Sequence, residues 1–166
     1  RAQNNQGTDV QIEGLEDPVY FGGNDNDDNS GILKYVRIEF CGIALTPNNE
    51  INGLTMGSVG SGTTLDYIQV SYCGDDSFEW FGGTVNAKHL IAYRGWDDDF
   101  DTDFGYRGKV QFAVSLRDPA IADVSSSNSF ESDNDATGST NQPFTQPIFS
   151  NVSVFGPKAT DGTTIN

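Results

Sequence analysis

Acidic residues recur in this chain at a fixed spacing, and this pattern is the one most able to do chemistry. Asp75, Asp76 and Glu79 recur as Asp97, Asp98 and Asp101 at one constant offset (97 − 75 = 22). If these residues lie one above another in a stacked structure, their charges repel, more so where water is excluded. Ca²⁺ would offset the repulsion, because it accepts roughly six to eight oxygen ligands in flexible geometry.

More acids join this ladder when Phe130 is aligned with Phe100, because Glu131 then lies beside Asp101. The sequence therefore predicts one or more Ca²⁺ sites on one face, with these candidate ligands: Asp75, Asp76, Asp97, Asp98, Glu79, Asp101, Asp103, Glu131 and Asp133. The alternative is a solvated acidic face that is screened by salt and has raised carboxylate pKa values.

Carbohydrate cleavage is a second chemistry that the acids allow. Inverting glycosidases hold two carboxyls roughly 6.5–9.5 Å apart, and Asp101 and Asp103 could supply such a pair. Lyase chemistry would instead need Ca²⁺ together with a cationic base, for which Arg94, Arg107 and Arg117 are the candidates. Asp and Glu number 24, so acidic pairs also arise in purely structural roles.

Tyrosines on the outward face of the predicted strands are candidates for binding sugars. Tyr35 and Tyr67 share this face, with His89 beside them, and Tyr93 follows in the next repeat. Sugars pack on exposed aromatic faces, so Tyr35, Tyr67 and Tyr93 form a candidate glycan platform. The alternative is an aromatic ladder that covers a sheet and stabilises it by cross-strand contacts.

The chain has two cysteines, Cys41 and Cys73, and each precedes a glycine at the same point of the repeat. In-register neighbours on parallel strands have Cα atoms about 4.8 Å apart, within the roughly 4.4–6.8 Å that a disulfide needs. The sequence predicts that the two sulfurs are in contact. It leaves two outcomes open, a disulfide or a ladder of free thiols.

A repeated element must position these residues. Three matching stretches begin at Leu65, Ala87 and Lys109 (87 − 65 = 22 and 109 − 87 = 22). Each opens with alternating apolar residues that are rich in β-branched and aromatic types, which is typical of a strand. A fixed period of this length predicts stacked repeats. No window shows helical periodicity, so each repeat must consist of short strands and turns.

The fold class that follows is all-β, a parallel β-helix with coils of about 22 residues. Equivalent strands stack in such a helix, which predicts a buried column and a core stack. The column is Val36, Ile68, Leu90 and Phe112, the same alternation turns Phe40, Tyr72 and Arg94 inward, and the core stack is Phe78, Phe100 and Phe130. An antiparallel sandwich is the competing fold, but it does not explain the matching register of the phenylalanines.

Insertions interrupt the repeat at several points. An earlier copy begins at Leu33, further ahead of Leu65 than one period (65 − 33 = 32), so it carries an insertion. We expect residues 1–166 to form a single β-helix segment, with insertions at about 43–52 and 118–128 and an irregular loop at about 132–147. The chain begins and ends in mid-pattern without visible caps, so we expect a fragment of a longer protein.

Charge limits the range of partners. The formal net charge is −15, which argues against nucleic acids and anionic membranes, because both are bound through Lys and Arg. The acidity favours cations or a salty extracellular setting. There is no apolar run of about 18 residues, so no transmembrane segment is predicted.

Four runs of sequence carry a resemblance to a known family: residues 29–40, 49–55, 74–85 and 97–103. Together they resemble secreted or surface proteins of Bacteroidota, mostly uncharacterised, whose members are right-handed parallel β-helices of the pectate-lyase-like type. The likeness covers most of residues 8–138. It implies a right-handed helix, an exported protein and a longer chain, but no particular reaction. Cys41 and Cys73 depart from the small residues expected at their positions.

Two functions remain open on the sequence. The first is a non-catalytic module, extracellular or on the outer cell surface, adhesin-like or matrix-structural, that binds Ca²⁺ and glycans or other surface proteins. The alternative is a polysaccharide-degrading enzyme of β-helix type, a lyase or a glycoside hydrolase. An enzyme should have a groove where acidic and arginine side chains converge, whereas a structural module should spread its acids along a ridge.

Overall fold

The computed structural model describes residues 1–46, 49–124 and 126–156, and all regular structure within these ranges is β. In chain order the strands are β1 Val10–Gln11, β2 Tyr20–Phe21, β3 Ile32–Glu39, β4 Ala44–Thr46, β5 Asn49–Glu50, β6 Leu54–Gly57, β7 Thr64–Ser71, β8 Phe78–Phe81, β9 Asn86–Tyr93, β10 Phe100–Asp103, β11 Lys109–Leu116, β12 Glu131–Ser132 and β13 Ile148–Phe155. Within the described ranges, no helix is long and apolar enough to cross a membrane.

Two parallel sheets make up the body of the protein. The long sheet has the order β13–β11–β9–β7–β3, and the short sheet has the order β12–β10–β8–β6. All neighbours within each sheet are parallel. From β6 to β13 the chain alternates between the two sheets, so each strand stacks on its equivalent in the next coil. The predicted all-β class with parallel stacking is confirmed.

Side chains from both sheets meet in one core. The long sheet contributes Ile68 and Leu90, and the short sheet contributes Trp80 and the stacked pair Phe78 and Phe100, whose ring centroids lie 5.6 Å apart. These aromatic rings are fully buried, and at ~25 cal/mol per Å² of apolar area they contribute strongly to stability. The predicted core stack is confirmed for this pair.

Phe130 continues that stack but does not belong to the buried core. Its ring centroid lies 5.5 Å from that of Phe100, yet 38% of the residue is exposed. The reason is its position beside β12, the edge strand of the short sheet. The prediction that Phe130 is a core residue is therefore wrong.

The register of the long sheet corrects the predicted buried column. Val36 pairs with Ile68, and Ile68 pairs with Leu90, as predicted. The next partner of Leu90 is Ala113 and not Phe112. The offset between β7 and β9 equals the period (90 − 68 = 22), but the offset between β9 and β11 is one larger (113 − 90 = 23). Since β8 and β10 still pair at the shorter offset, the extra residue lies in the turn between β10 and β11.

A column of left-handed residues interrupts the alternation within the five long strands. Tyr35, Tyr67, His89, Phe112 and Asn151 occupy equivalent places in the five long strands and have φ values of 58°, 55°, 53°, 62° and 55°. A positive φ interrupts the pleat, so that the side chain turns outward and the inward residue comes one position later. Phe112 is 44% exposed for this reason.

A second left-handed column follows the ends of the first three long strands. Phe40, Tyr72 and Arg94 have φ values of 55°, 54° and 56°. These residues were predicted to point inward, but Phe40 is 74% exposed and Arg94 forms an ion pair with Asp118 at 3.2 Å. The prediction is wrong for the same reason, because a positive φ in a residue other than glycine leaves no trace in the apolar pattern.

Segments outside the regular coils match the places where the repeat is interrupted. The antiparallel hairpin β4–β5 lies between β3 and β6, where the sequence carries its first insertion. The offset between β11 and β13 is also larger than one period (148 − 109 = 39). Among the described residues between these two strands, β12 is the only strand.

Candidate metal centre

The acids of the predicted ladder come from two places in each coil. Asp75, Asp76, Asp97 and Asp98 lie in the turns that lead from a long strand to a short one. The others lie on the short sheet or just after it. In that sheet Asp101 pairs in register with Glu79 on one side and with Glu131 on the other. The predicted neighbours of Asp101 are confirmed.

Two groups of three carboxylates form within this ladder. Asp75, Asp76 and Asp97 make the first triad, and Asp76, Glu79 and Asp101 make the second. Within each triad, one oxygen from every residue lies within 4.8 Å of the others. Asp76 belongs to both triads, so the two groups are continuous. Five of the nine predicted ligands therefore lie together, where they could bind two cations or one cation in alternative positions.

The remaining predicted ligands lie beside the triads. Asp98 is fully buried; it accepts a hydrogen bond from the backbone N–H of Asn128 and shares one with Glu131. Asp103 accepts a hydrogen bond of 2.6 Å from the N–H of Phe104. These contacts occupy part of the bonding capacity of Asp98 and Asp103. Glu131 and Asp133 line the same cavity as the triads.

A cavity of about 640 Å³ lies over the triads. We call it the acid groove, and its lining is Glu13, Ala44, Glu50, Asn52, Gly74, Asp75, Asp76, Asp97, Asp101, Asp103, Asp123, Val124, Glu131 and Asp133. No Lys or Arg is among these described residues. The groove therefore concentrates negative charge and oxygen atoms in one concave place.

Sequence reasoning missed three contributors to the groove, Glu13, Glu50 and Asn52. The side-chain amide of Asn52 donates to Glu79 and, at 3.1 Å, to Glu13. Glu13 and Glu50 each lie close enough to raise the pKa of Asp75. All three residues lie outside the repeated strands, so no spacing signal could have identified them.

Burial is the main cause of the altered acidity in the groove. It raises the pKa of Asp76 to about 10, that of Asp75 to about 7 and that of Asp101 to about 6. Neighbouring carboxylates are the next contribution to these raised pKa values. The same cause raises the pKa of Glu79 well above its ordinary value. An isolated charge is disfavoured at these places. At neutral pH Asp76 therefore keeps its proton in the absence of a cation, whereas Asp101 is largely ionised at a cost in stability.

Asp98 and Asp103 follow the same trend. Burial, together with the neighbouring Glu131, raises the pKa of Asp98 to about 8. Burial likewise raises the pKa of Asp103 to about 7, although the Phe104 N–H opposes the shift. Raised pKa values therefore extend along the ladder beyond the two triads.

One oxygen of the second triad lacks a partner. Asp101 Oδ1 is buried and accepts no hydrogen bond from the described residues. A buried carboxylate oxygen without a partner is strongly disfavoured, since it has lost its water and received nothing in return. A ligand with positive charge at this point would satisfy it.

Asp99, the third acid of the run 97–99, has a structural role. It is fully buried and forms an ion pair with Arg117 at 3.2 Å. The hydroxyl of Ser115 also donates to it. Arg117 is thereby held in an ion pair, so it is not a free base beside the acid groove.

The other two arginines that were candidates for a lyase base also lie elsewhere. Arg94 pairs with Asp118, and its guanidinium lies 5.2 Å from the centre of the Tyr93 ring. Arg107 has two buried guanidinium nitrogens, Nε and NH2, that lack hydrogen-bond partners among the described residues. None of the three lines the acid groove. The convergence of acid and arginine expected of a lyase is not found among the described groove residues.

Aromatic rings form a continuous column on the outer face of the long sheet. Tyr35 stacks on Tyr67 at 5.0 Å, Tyr67 on His89 at 4.2 Å, and His89 on Phe112 at 5.2 Å. We call these four residues the aromatic column. They line one side of a shallow cavity of about 650 Å³, the aromatic groove.

Tyr93 does not belong to the aromatic column, which corrects the predicted glycan platform. Its ring packs edge-on against Tyr72 at 5.4 Å, in the second left-handed column. Phe112 occupies the place in the platform that was predicted for Tyr93. The stacked rings cover one another's faces, so the column presents mainly ring edges to the groove. Tyr35, at the end of the column, is 76% exposed.

The two cysteines are neighbours, as predicted from their register. Cys41 and Cys73 follow the paired strands β3 and β7, and the N–H of Gly74 donates to the carbonyl of Cys41 at 2.8 Å. Both are free thiols in this structure, Cys41 half-buried and Cys73 fully buried. The structure places the two cysteines on adjacent coils, and the contact of their sulfurs and the disulfide both stay predictions.

Stacked parallel coils with an acidic groove define the class of protein as an acidic parallel β-helix. Within that class, the family model for a pectate-lyase like beta helix domain matches residues 1–166, and the chain belongs to this family. No curated protein and no solved structure matches the chain. The resemblance to pectate-lyase-like β-helix proteins, drawn from the sequence, is confirmed at the level of the family.

Proposed function

We propose that this chain is a non-catalytic module of an extracellular or surface protein, adhesin-like or matrix-structural, and that it binds Ca²⁺ in the acid groove. The observation that carries the proposal is the meeting of two carboxylate triads at Asp76, beside the buried and unpartnered Oδ1 of Asp101. A cation at this place would neutralise several desolvated charges at once.

Ca²⁺ fits these donors better than other common cations. All the candidate ligands offer oxygen, which hard cations prefer to the nitrogen and sulfur that zinc usually takes. Mg²⁺ demands near-ideal octahedral geometry and gives up its water reluctantly, whereas Ca²⁺ accepts irregular sets of carboxylates and carbonyls. The triads are irregular, since they draw on turns and on strands of the short sheet.

The competing state of the groove is a cluster of protonated carboxyls without metal. The raised pKa values of Asp75, Asp76 and Glu79 support this state when no cation is present. Protons and Ca²⁺ then compete for the same oxygens, so the affinity for Ca²⁺ should increase with pH. Because protons and Ca²⁺ compete, the protonated cluster and the Ca²⁺-bound groove can be told apart by how binding depends on Ca²⁺ concentration and on pH.

Calorimetric titration of the metal-free chain with Ca²⁺ tests the proposal. We expect binding at pH 7 that weakens at pH 5, and Glu79→Gln should weaken it at least tenfold. Glu39→Gln is the matched control, because Glu39 carries the same charge on an exposed strand face and pairs with Arg37. Absence of Ca²⁺-dependent heat at pH 7, or equal loss of affinity in both variants, would refute the proposal.

The aromatic groove supports a second binding activity, toward glycans. Residues of all five long strands line it, among them Tyr67, His89 and Phe112. Aromatic side chains with a few polar groups suit sugars, which have both apolar faces and hydroxyls. Tyr67→Ala should abolish binding to a responding oligosaccharide in a glycan array, whereas Tyr93→Ala should leave it unchanged. Equal effects of both changes would contradict a site at this groove.

A polysaccharide-degrading enzyme is the alternative for this family. Products released from acidic and neutral polysaccharides, measured as new reducing ends or unsaturated ends, would support it. Loss of that release in Asp101→Asn would place the reaction in the acid groove. We also propose that the helix is right-handed, the hand of nearly all parallel crossover connections.

A further inference from the structure

Two cysteines outside the acid groove lie on neighbouring coils whose backbones approach closely beside them. Cys41 follows β3, and Cys73 follows β7, its parallel partner in the long sheet. The chain has two cysteines in all, so each has a single possible partner within the chain. We propose that Cys41 and Cys73 form a reversible disulfide that joins these two coils.

The close approach of the coils is built into the glycines that follow the cysteines. Gly42 has a φ of 81°, and a Cβ added to it would lie 2.2 Å from the backbone nitrogen of Gly74. The Gly74 N–H donates to the carbonyl of Cys41 at 2.8 Å. No other residue could fit at position 42 without moving the two coils apart. The backbone therefore fixes how closely the two coils approach beside the cysteines.

Exposure assigns different roles to the two thiols. Cys41 is half-buried, so a small molecule can reach it, whereas Cys73 is fully buried. The neighbouring Cys73 lowers the pKa of the Cys41 thiol. A thiolate is the attacking species in disulfide exchange, so Cys41 is the thiol that reacts first.

Exchange with a low-molecular-weight disulfide, written RSSR, supplies the oxidation. The Cys41 thiolate attacks one sulfur of RSSR, which forms a mixed disulfide and releases RS⁻. Cys73 then gives up its proton and attacks the Cys41 sulfur, which closes the protein disulfide and releases the second RS⁻. The two RS⁻ released take up the two protons that Cys41 and Cys73 have lost. In total, two protein thiols and one RSSR give one protein disulfide and two RSH.

The bond would stabilise the part of the chain that supplies β4, β5, β6 and β7. It closes the loop between Cys41 and Cys73 (73 − 41 = 32) and so restricts the unfolded chain. For a loop and a chain of this size, the melting temperature should rise by roughly 10 °C, provided that the bond forms without strain. The proposal does not depend on Ca²⁺ binding.

The full chain is incubated with oxidised glutathione in the presence of a chelator and measured by intact mass under non-reducing conditions. We expect the mass to fall by two hydrogens and no thiol to react under denaturing conditions. The melting temperature should rise on oxidation and return to its starting value on reduction. Two unreacted thiols, a stable glutathione adduct on the wild-type chain or a disulfide-linked dimer would each overturn the proposal.

Two variants test the order of reaction. Cys73→Ala should stop at a glutathione adduct on Cys41, because the second thiol is missing. Cys41→Ala should take up glutathione at least tenfold more slowly, because Cys73 is buried. Equal rates in the two variants would overturn the assigned roles. Both replacements are small and apolar, and retention of the wild-type melting profile under reducing conditions shows that each variant is folded.

Discussion

The charge of Asp101 should destabilise the protein without metal and stabilise it with metal. Burial and the neighbouring Glu131 raise the pKa of this carboxyl to about 6, from an ordinary value of 3.8. A group with a raised pKa contributes its full stability below its unfolded value, 3.8, and that contribution is lost as the pH rises through about 6. At pH 7 Asp101 is therefore a source of instability.

The size of the effect follows from the pKa difference. A difference of about two pH units corresponds to ~3 kcal/mol in the free energy of unfolding at pH 7. Asp101→Asn keeps the shape of the side chain and removes the charge, so in chelator the variant should be more stable than the wild type by up to ~3 kcal/mol. For a chain of this size that is a rise of roughly 6–12 °C in melting temperature. Below pH 4 the two proteins should melt at nearly the same temperature.

Ca²⁺ should act in the opposite direction. At a concentration one hundred times its Kd, a ligand that binds only the folded state adds about 2.7 kcal/mol. The wild type should gain this stability at pH 7, while Asp101→Asn, which lacks one carboxylate of the second triad, should gain much less. The difference between the two proteins seen in chelator should therefore close or change sign.

The assay is thermal melting of both proteins at pH 4 and pH 7, each with chelator and with excess Ca²⁺. Glu39→Gln, with one charge removed from an exposed strand, controls for the change in net charge. The reasoning fails if Asp101→Asn is less stable than the wild type in chelator at pH 7. It also fails if Ca²⁺ raises the melting temperature of both proteins equally.

Three further predictions concern the groove, the backbone and the register. Ca²⁺ binding at pH 7 should release protons, because Asp76 has a pKa of about 10; equal binding enthalpies in two buffers that differ in ionisation heat would contradict this. Gly42→Ala should lower the free energy of unfolding in urea by more than about 2 kcal/mol, whereas Gly138→Ala, also at positive φ but with nothing within 4 Å of an added Cβ, should lose about 1 kcal/mol. Ala113→Asp buries a charge and should unfold the protein, while Phe112→Asp, at an exposed site, should reduce stability by less than about 2 kcal/mol. A larger loss of stability in Phe112→Asp than in Ala113→Asp would contradict the longer step between β9 and β11.

The repeat predicted the architecture because a stacked fold makes sequence spacing equivalent to spatial contact. Residues one period apart, such as Glu79 and Asp101, are in-register partners, so the acid ladder could be derived without a structure. The same reasoning failed at Phe112, because one extra residue in the turn before β11 shifts the register of that strand. Turn length varies without changing the alternation inside strands, so the pattern gave no warning.

The parts of the site that could not be predicted lie outside the repeat or depend on backbone conformation. Glu13 reaches the acid groove from a segment outside the two parallel sheets, and Asn52 precedes β6, whose step to β8 (78 − 54 = 24) is longer than the period. The left-handed residues are aromatic or polar, whereas positive φ is usually signalled by glycine. Nothing in the sequence marks Tyr67 or His89 as such a position. Their stacking in equivalent strands is a property of the assembled sheet.

The affinity for Ca²⁺ that we propose is limited by the free energy needed to deprotonate the carboxyls of the acid groove. Each carboxylate that binds the cation must first lose a proton, and Asp76, shared by both triads, has a pKa of about 10. Proton competition of this kind weakens the apparent affinity at neutral pH. Extracellular Ca²⁺ modules commonly bind at roughly 10⁻⁴–10⁻³ M, a range in which metal binds outside the cell and not in the cytosol. The proposed extracellular location would therefore let the groove bind the metal, which an affinity in this range would not allow in the cytosol.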